Sequence, residues 1–479
     1  MPGVFLLENA TTIRSEIEKE LKLGGYTFNS FGQATGLNRG IFSAMLNGNP
    51  PKPISVRQMD LITKALNYHE DWLYDLYVDE CFYDGRPHWK RVKPFLIRCV
   101  EVGNLQCVEK VLSRLMEDLN HIPTIFALAE ELYDGGKLQE AIPFYECVIE
   151  NEKYQHSERL AISHYKLFVA SIGQDLERNL EAVLRFIPYR NRLPENYHLD
   201  ALLKLANIYF SLHQWKEVER YADELRNLAT TVYKNEIQKR KNINKYRQLE
   251  TERPLVVYYG QGYLLKGNAL ELQGMYEKAM EYINGYADLG WFEGLDELGL
   301  EEVELLKLWA EANKLNLRVL MGEKGSLLSY VNFLKRNPLE VLPGLLTIVE
   351  SAIKHKFSID AILSEFSEEI RVFNDSFFLD SGYYQLAPTV DRYADLHYKL
   401  SIYYFGSKRI NQGLDSILES LKFYKIINNK TKFVECVALF ERFRKDATSQ
   451  HRKDYEFIME EILNDEKIND VLLVGAKSN

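Results

Sequence analysis

The amino-acid sequence predicts an all-α protein with a compact N-terminal domain and a longer helical array. Apolar residues recur at helical spacing through most of the 479 residues. Glycines and a proline-rich turn divide the first 80 residues into short segments, and four later segments share one spacing of small and large side chains. Apolar residues make up 46% of the chain and prolines number only 14, so most of it can bury a core.

The first 80 residues contain signals for five short helices. The first follows Thr12, which can cap it, and ends at Gly24 and Gly25. Its apolar side chains at helical spacing are Ile13, Ile17 and Leu21. Two short helices separated by Gly36 follow, a fourth begins at Ser55, and HEDWLYDLYVDECF supplies the fifth. Helices of this number and length predict a compact domain.

The second and third of these helices are typical of a helix-turn-helix. Gly36 permits the tight turn between them, and Gly32 lets the third helix pack closely across the second. The apolar side of the third helix is Leu37, Ile41 or Phe42, and Met45. The residues that we expect to meet DNA, the first through a phosphate and the others near base edges, are Thr27, Asn38, Arg39, Gly40, Ser43 and Asn47.

The segment SFGQATGLNRGIFSAMLNG resembles the Xre/Cro-type helix-turn-helix family, and the resemblance covers roughly residues 10–78. It implies binding to operator DNA. It departs at Phe28, where the family usually has a polar, backbone-contacting residue, and at Leu46, where it usually has an acidic one. The alternative is a protein-interaction module that has lost DNA binding. Residues 21–68 carry five Lys and Arg against Asp60 alone, in a chain of net charge −10, and this local balance favours DNA.

Beyond residue 95, four segments align without gaps and repeat one spacing. They are LAEELYDGGKLQEAIPFYECV, LANIYFSLHQWKEVERYADEL, KGNALELQGMYEKAMEYINGY and LSIYYFGSKRINQGLDSILES, which begin at residues 128, 205, 266 and 400. In each, a small residue precedes a large one by three positions, and a mostly small residue recurs after a turn. Small side chains at both places let two antiparallel helices approach closely.

This spacing resembles the tetratricopeptide repeat, a helical hairpin of about 34 residues that stacks into a right-handed α-solenoid. Ala141 and Ala279 lie 138 positions apart, and Ala279 and Gly413 lie 134 apart, each close to four repeats. Weaker pairs are expected at 161–187, 303–335 and 340–370, and a terminal cap at 432–464. We therefore predict a helix-turn-helix domain at residues 1–80 and a tetratricopeptide-like repeat domain with a C-terminal capping helix at 81–479. Unrelated helical hairpins are the alternative.

A helix-turn-helix domain followed by such repeats resembles the peptide-pheromone regulators of Gram-positive bacteria and their phages. Rap, NprR, PlcR and PrgX typify that family, and the arbitrium receptors are relatives. The resemblance implies a homodimeric, quorum-sensing-type transcription regulator that binds a short signalling peptide on the concave face of its repeats. The peptide would alter the dimer geometry and the affinity for DNA. A repeat-based adaptor that sequesters or dephosphorylates another regulatory protein is the alternative.

Asn207 and Asn268 are the candidate peptide-binding amides. Each directly follows the small residue of a first helix, Ala206 or Gly267, at a position that faces the concave side in such arrays. An amide can both donate to and accept from an extended peptide backbone, and concave asparagines do so in the family. Residues on the same helical faces that could form side-chain pockets are Leu203, Phe210, Leu264 and Glu271. Solvated surface amides are the alternative reading of the two asparagines.

No catalytic residue, metal site or cofactor is expected. The sequence has no G-x-x-x-x-G-K-[ST], H-E-x-x-H or G-x-S-x-G motif, and its five cysteines include no C-x-x-C pair. His164 and His397 fall in helical patterns and are expected to be core or surface residues. No apolar run approaches the length of a membrane span, so we expect a cytoplasmic protein. The charged stretch 233–253 is expected to be a solvated helix or loop, and a phosphate- or nucleic-acid-binding role is the alternative.

Overall fold

The computed structural model describes residues 11–463 apart from 84, 153–156, 174, 243–248 and 373–385. In these residues the chain is helical, with one antiparallel pair of two-residue strands, Phe82–Tyr83 and Arg86–Pro87. The predicted all-α class is therefore confirmed. No helix among the described residues is both long and apolar enough to cross a membrane.

The chain divides into two compact units, Met1–Ala170 and Ser171–Asn479. The helices that begin in the first unit are α1 Ile13–Leu23, α2 Phe28–Thr35, α3 Arg39–Leu46, α4 Val56–Ala65, α5 Tyr74–Tyr77, α6 Trp89–Glu101, α7 Leu105–Leu115, α8 Ile122–Asp134, α9 Leu138–Glu152 and α10 Glu158–Ser171. Short 3-10 turns at Val78–Cys81 and Leu119–His121 follow α5 and α7.

The helices of the second unit form pairs of long neighbours. They are α11 Leu176–Phe186, α12 Glu195–Ser211, α13 Trp215–Asn242, α14 Leu255–Leu272, α15 Tyr276–Ile283, α16 Glu297–Leu320, α17 Lys324–Arg336, α18 Val341–His355, α19 Asp360–Glu365, α20 Ser367–Val372, α21 Leu386–Gly406, α22 Ile410–Ile426, α23 Lys430–Phe443 and α24 Ser449–Leu463. The 3-10 turns are Ile187–Arg192, Pro338–Glu340 and Arg444–Asp446.

Side-chain caps start the N-terminal helices. Thr12, Thr27 and Ser55 each accept a hydrogen bond from the backbone N–H three residues on, and the side chain at that third residue accepts one in return. α3 begins at Asn38, whose Oδ1 accepts from the N–H of Gly40 at 2.8 Å. These caps satisfy backbone donors that a helix start leaves free, which fixes where each helix begins.

One apolar core runs through the first unit. Its buried side chains extend from Ile13 in α1 to Val148 in α9. Tyr74 and Tyr77 of α5 contact Phe95 of α6, with ring centroids 5.3 and 4.8 Å apart. This core continues across residue 80, where the sequence predicts the boundary between a DNA-binding domain and a repeat domain. That boundary stays a prediction.

Ion pairs follow the same seam between the N-terminal helices and α6 and α7. Their N···O distances are 3.1 Å for Arg98–Asp60, 2.7 Å for Lys110–Asp75 and 2.8 Å for Arg114–Asp79. Exposed pairs of this kind each contribute little to stability. The three pairs join α6 and α7 to α4, α5 and the 3-10 turn that follows α5.

One turn geometry recurs in the hairpins. The residue two positions before the second helix has a left-handed backbone conformation. These residues and their φ angles are Gly136 at 77°, His213 at 56°, Gly274 at 76°, Gly322 at 85° and Lys408 at 59°. They precede α9, α13, α15, α17 and α22, so a helical hairpin with this turn stands at each of the four segments that align in the sequence.

Small residues lie where the paired helices touch. Ala141 and Ala206 are fully buried, and Ala279 is 1% exposed. A Cβ on Gly262 of α14 would lie 2.9 Å from the backbone of Arg226 in α13, so only glycine allows this approach. The pattern of small residues therefore has the packing role that the sequence indicates.

The first helices of the hairpins in the second unit contact one another in chain order. α12 packs against α14, α14 against α16, α16 against α18, and α18 against α21. α21 also contacts α12, so the first and last hairpins of this series meet. We call these five helices the first-helix layer. The contact between α12 and α21 closes the layer, and the concave ligand-binding face stays a prediction.

α13 carries part of the charged stretch. Lys234, Lys239 and Lys241 are exposed on it, as expected of a solvated helix. Glu236 is the exception because its side chain is buried and accepts a hydrogen bond from the N–H of Leu249 at 3.1 Å. Residues 243–248 of the stretch lie outside the described residues.

Candidate DNA-binding face and candidate ligand-binding surface

The outer face of α3 carries the residues predicted to meet DNA. All six predicted residues are exposed: Thr27, Asn38, Arg39, Gly40, Ser43 and Asn47. Arg39, Ser43 and Asn47 follow one another at intervals of four, so they share one side of the helix. On the other side Phe42 and Met45 are buried at 0% and 1% exposure, which holds that outer face away from the core.

The turn between α2 and α3 has the geometry that its glycines predict. Gly36 has φ 71°, in the left-handed region. A Cβ on Gly32 would lie 2.7 Å from the carbonyl oxygen of Leu37, so the turn before α3 passes α2 at a distance that only glycine permits. The turn role predicted for Gly36 is confirmed, and the close contact at Gly32 is made by the turn that leads into α3.

The polar groups of this face differ in whether they already form hydrogen bonds within the protein. The Thr27 hydroxyl accepts from the N–H of Ser30 at 3.2 Å, and the Asn38 oxygen caps α3. Arg39 has no ion pair or side-chain hydrogen bond with any other described residue. An exposed guanidinium has five hydrogen-bond donors and can bind a guanine edge or a phosphate. Arg39 is therefore the strongest candidate on this face for a contact with DNA.

The two departures from the family pattern are core residues. Phe28 is half-buried and stacks on Phe42, with ring centroids 6.3 Å apart and an interplanar angle of 28°. Leu46 is 8% exposed and belongs to the same apolar core. The apolar side chains of Phe28 and Leu46 pack α2 and α3 against the core. They cannot make the polar contacts that the family usually makes at these two positions.

Asn207 and Asn268 occupy the same place in two neighbouring first helices. Each lies six residues before a left-handed turn residue, His213 or Gly274, and each is half-buried. Neither side-chain amide has a hydrogen bond with another described residue. Two adjacent helices of the first-helix layer thus present amides whose donors and acceptors are available to a ligand.

The predicted pocket residues beside these amides are less accessible. Leu203 and Leu264 are 6% and 8% exposed and pack inside the hairpins. Phe210 is half-buried, and its ring makes a T-shaped contact with Trp215 at 5.5 Å. Their contact with a ligand stays a prediction, and packing is the role that their burial supports.

Glu271 is already engaged. Its Oε1 accepts a hydrogen bond from the Asn316 amide at 2.7 Å. Burial, helped by the charge of Glu350 and opposed by the hydrogen bond from Asn316, raises the pKa of Glu271 to about 7. The carboxyl group is therefore partly protonated near neutral pH, so it can act as a hydrogen-bond donor as well as an acceptor.

Two residues at the same helical place were missed in the sequence. Asn316 and Glu350 lie six residues before Gly322 and Lys356, which end α16 and α18 in the left-handed conformation. The Asn316 oxygen accepts hydrogen bonds from Thr347 and, at 3.5 Å, from Tyr330. The signal available was Gly322, whose spacing from Asn316 equals that of Gly274 from Asn268. It was overlooked because the small-residue pattern is weak in α16.

Half-buried charges continue this line of polar side chains into α21. Lys399 contacts Glu350 at 2.5 Å and Asp395 at 3.2 Å. Burial alone would lower the pKa of Lys399, but the two carboxylates outweigh it and hold that pKa above its ordinary value. Free amides, a partly protonated carboxyl group and paired charges make the first-helix layer suited to a polar, hydrogen-bonding ligand.

A cluster of contacts closes the first-helix layer, and we call it the clasp. It joins the start of α11 and the α12–α13 turn to α21 and the α22–α23 turn. Its polar contacts are Leu176 N to Ile427 O at 3.2 Å, Lys430–Glu177 at 2.6 Å, Asn428–Asp175 at 3.3 Å and His213–Asp391 at 3.2 Å. Leu176 is 2% exposed among the core side chains of α21–α24, so the clasp has an apolar centre as well.

His213 is the titratable residue of the clasp in the neutral pH range. Burial alone would lower its pKa, but the hydrogen bond with Asp391 and the charges of Asp391 and Asp395 outweigh burial, and the charge of Lys432 opposes them. The net effect raises the pKa of His213 above its ordinary value. A protonated His213 therefore strengthens the contact between the α12–α13 turn and α21.

The cysteines among the described residues are buried, and two of the histidines are half-buried. Those residues contain no group of three His, Cys, Asp or Glu side chains placed to hold a metal ion. All five cysteines are buried and free. Burial lowers the pKa of both His164 and His397 to about 4, so both rings are neutral at pH 7, which fits the prediction that they are structural residues.

No protein-family model matches the chain, and no curated protein matches it. What the chain does must therefore be inferred from its own residues.

Proposed function

We propose that the chain is a cytoplasmic transcription regulator that binds operator DNA through α3 and is controlled by a short peptide bound to the first-helix layer. The observation that carries this proposal is the outer face of α3. There Arg39, Ser43 and Asn47 are exposed together, on a helix held close to α2 by Gly32. A helix presented in this way fits the major groove, where its first residues meet base edges.

Charge around α3 supports the same proposal. Lys22, Lys52, Arg57 and Lys64 are exposed on the neighbouring helices and loops. Cations flanking a recognition helix neutralise phosphates and supply much of the affinity for DNA. In a chain of net charge −10, the positive balance of residues 21–68 favours contact with DNA through this part of the chain.

The hairpins support a tetratricopeptide-like right-handed α-solenoid as the architecture of the sensor. Repeated turns, small residues at the helix contacts and amides at equal places in α12 and α14 are all typical of such repeats. Asn207 and Asn268, on adjacent helices, can hydrogen-bond an extended peptide backbone. A regulator of this kind acts as a homodimer on a two-fold operator.

DNA binding is tested by selecting duplexes from a random library with the full-length protein and measuring their affinity by gel retardation. Arg39→Ala is expected to weaken binding to a selected duplex by about 1–3 kcal/mol because the guanidinium contact is lost. Arg185→Ala is the matched control, since Arg185 is exposed on α11 in the other unit. Failure to select any duplex, or an unchanged Arg39→Ala isotherm, contradicts this assignment.

Peptide control is tested with a library of short peptides screened for those that shift the DNA affinity. Asn207→Ala and Asn268→Ala are each expected to weaken the response to an active peptide. The helical fold should be unchanged because neither amide holds another described residue. A full response in both variants would remove the two asparagines from the ligand site.

A repeat-based adaptor is the second candidate, and exposed apolar side chains near the C-terminus favour it. Val434 on α23 and Phe457 on α24 are 64% and 62% exposed, and Ile426 on α22 is 52% exposed. Apolar groups exposed together can mark a protein-binding surface. Under this proposal Val434→Lys abolishes capture of a protein partner and leaves DNA binding unchanged.

A further inference from the structure

Arg14 of α1 holds the last turn of α3. Its Nε donates to the carbonyl oxygen of Met45 at 3.0 Å, and its Nη2 donates to that of Lys52 at 3.2 Å. The final carbonyls of a helix have no partner within the helix, so Arg14 supplies one from outside. The N–H of Lys52 donates to Ala44 at 2.8 Å, which ties the loop after α3 to the same place.

The guanidinium of Arg14 is held in turn by Glu80. Both of its terminal nitrogens donate to the Glu80 carboxylate, in a paired contact whose longer distance is 3.2 Å. The two side chains are only 22% and 12% exposed, so water screens this pair less than the surface pairs nearby. Because a guanidinium fork has a fixed shape, binding the carboxylate also fixes the direction of the Nε donor toward α3.

Glu80 lies outside the helix-turn-helix, in the 3-10 turn that leads to α6. Its backbone carbonyl accepts from Arg91 of α6 at 2.9 Å. The contacts thus run without a gap from α6 through Glu80 and Arg14 to the end of α3. Any movement of the turn at Glu80 relative to α1 must either break this fork or move the last turn of α3.

We propose that Arg14 and Glu80 are positioning residues that make the orientation of α3 depend on the segment joining it to the later helices. This proposal deepens the proposed function and rests on it, because α3 is the helix assigned to DNA. Neither residue needs to touch DNA. They act by holding the last turn of α3, and with it Asn47, in the position that the outer face requires.

Glu80→Gln in the full-length chain tests the proposal, with Asp79→Asn as the matched control. Asp79 lies in the same 3-10 turn and pairs with Arg114 at 2.8 Å, but it has no contact with α3 among the described residues. Backbone hydrogen exchange of residues 43–53 in the absence of DNA is expected to be about tenfold faster in Glu80→Gln and unchanged in Asp79→Asn. Equal exchange in the two variants overturns the proposal.

The ratio of specific to nonspecific DNA affinity distinguishes a positioning role from a loss of stability. With a duplex selected by the wild type and a scrambled duplex, Glu80→Gln is expected to lower the ratio of specific to nonspecific affinity about tenfold. Partial unfolding would reduce both affinities equally and leave the ratio unchanged. Arg14→Lys, which keeps the charge but not the fork, should behave like Glu80→Gln, and a wild-type ratio in Arg14→Lys overturns the proposal. If the wild type selects no duplex, the proposed function fails, and the exchange measurement still decides whether this pair positions α3.

Discussion

At the scale of single residues, the closeness of α2 and α3 depends on one missing side chain. A Cβ on Gly32 would meet the carbonyl oxygen of Leu37 at 2.7 Å, closer than nonbonded atoms allow. The obstacle is the backbone of the turn between α2 and α3, so a shift of that turn is needed to relieve the clash. Gly40 differs because a Cβ there would meet only the side-chain oxygen of Asn38, at 3.3 Å.

Gly32→Ala is therefore expected to lower the free energy of unfolding by about 1–3 kcal/mol, as overpacking of a tight contact does. Urea unfolding followed by circular dichroism measures it. Gly40→Ala is the control, and it is expected to be neutral or to stabilise the protein slightly, because alanine favours a helix over glycine. Equal stabilities for the two variants would show that the crossing of α2 and α3 tolerates a methyl group.

At the scale of elements, the sequence predicted the starts and ends of the N-terminal helices because their signals are local. Thr12 and Ser55 mark helix starts through their own hydrogen bonds, and Gly36 marks the turn through its own backbone angle. Asn316 escaped because its importance lies in partners on α14 and α18, which no local pattern reveals. Arg14 escaped for the same reason, since its partner Glu80 is 66 residues away.

Asn316, Asn207 and Asn268 occupy the same position in their helices but differ in their contacts. We therefore expect alanine substitutions at Asn316 and Asn207 to differ in their effect on stability. Asn316 is 6% exposed, and Asn316→Ala removes the hydrogen bond to the Glu271 carboxyl group and one of the two acceptors of the buried Thr347 hydroxyl. We expect it to lower the free energy of unfolding by about 1–3 kcal/mol. Asn207→Ala, at a half-buried amide without such contacts, is expected to change it by less than about 0.5 kcal/mol.

Urea unfolding of the two variants under one set of conditions measures this contrast. Equal stabilities would mean that another group, for instance water, takes over the hydrogen bonds of the Asn316 amide in the variant. A large loss in Asn207→Ala would mean that this amide is structural and would weaken its assignment to the peptide.

At the scale of the whole molecule, closure of the first-helix layer was beyond the reach of the sequence. Each hairpin turns by a small angle relative to the last, and the sum over five hairpins decides whether the ends meet. The residues that meet are also far apart in the chain: Glu177 and Lys430 are separated by 253 positions. Their charges carry no mark of that pairing in the sequence, and exposed pairs alone would not hold the ends together. Leu176 and His213 must contribute.

The clasp should therefore weaken as pH rises. Because the folded-state pKa of His213 is raised, its contribution is fully present below the ordinary histidine pKa and is lost as pH rises through the raised value. As pH rises above the ordinary histidine pKa of about 6.5, we expect faster hydrogen exchange at the Leu176 amide, which donates to Ile427, after correction for the intrinsic pH dependence. Glu271 also loses protons in this range, so a local amide is a sharper measure than global stability. His213→Gln should remove the excess pH dependence, whereas His69→Gln, at an exposed His–Asp pair in the other unit, should leave it intact. If the excess pH dependence of exchange survives in His213→Gln, another titratable group causes it. The clasp would then depend on Leu176 and the paired charges alone.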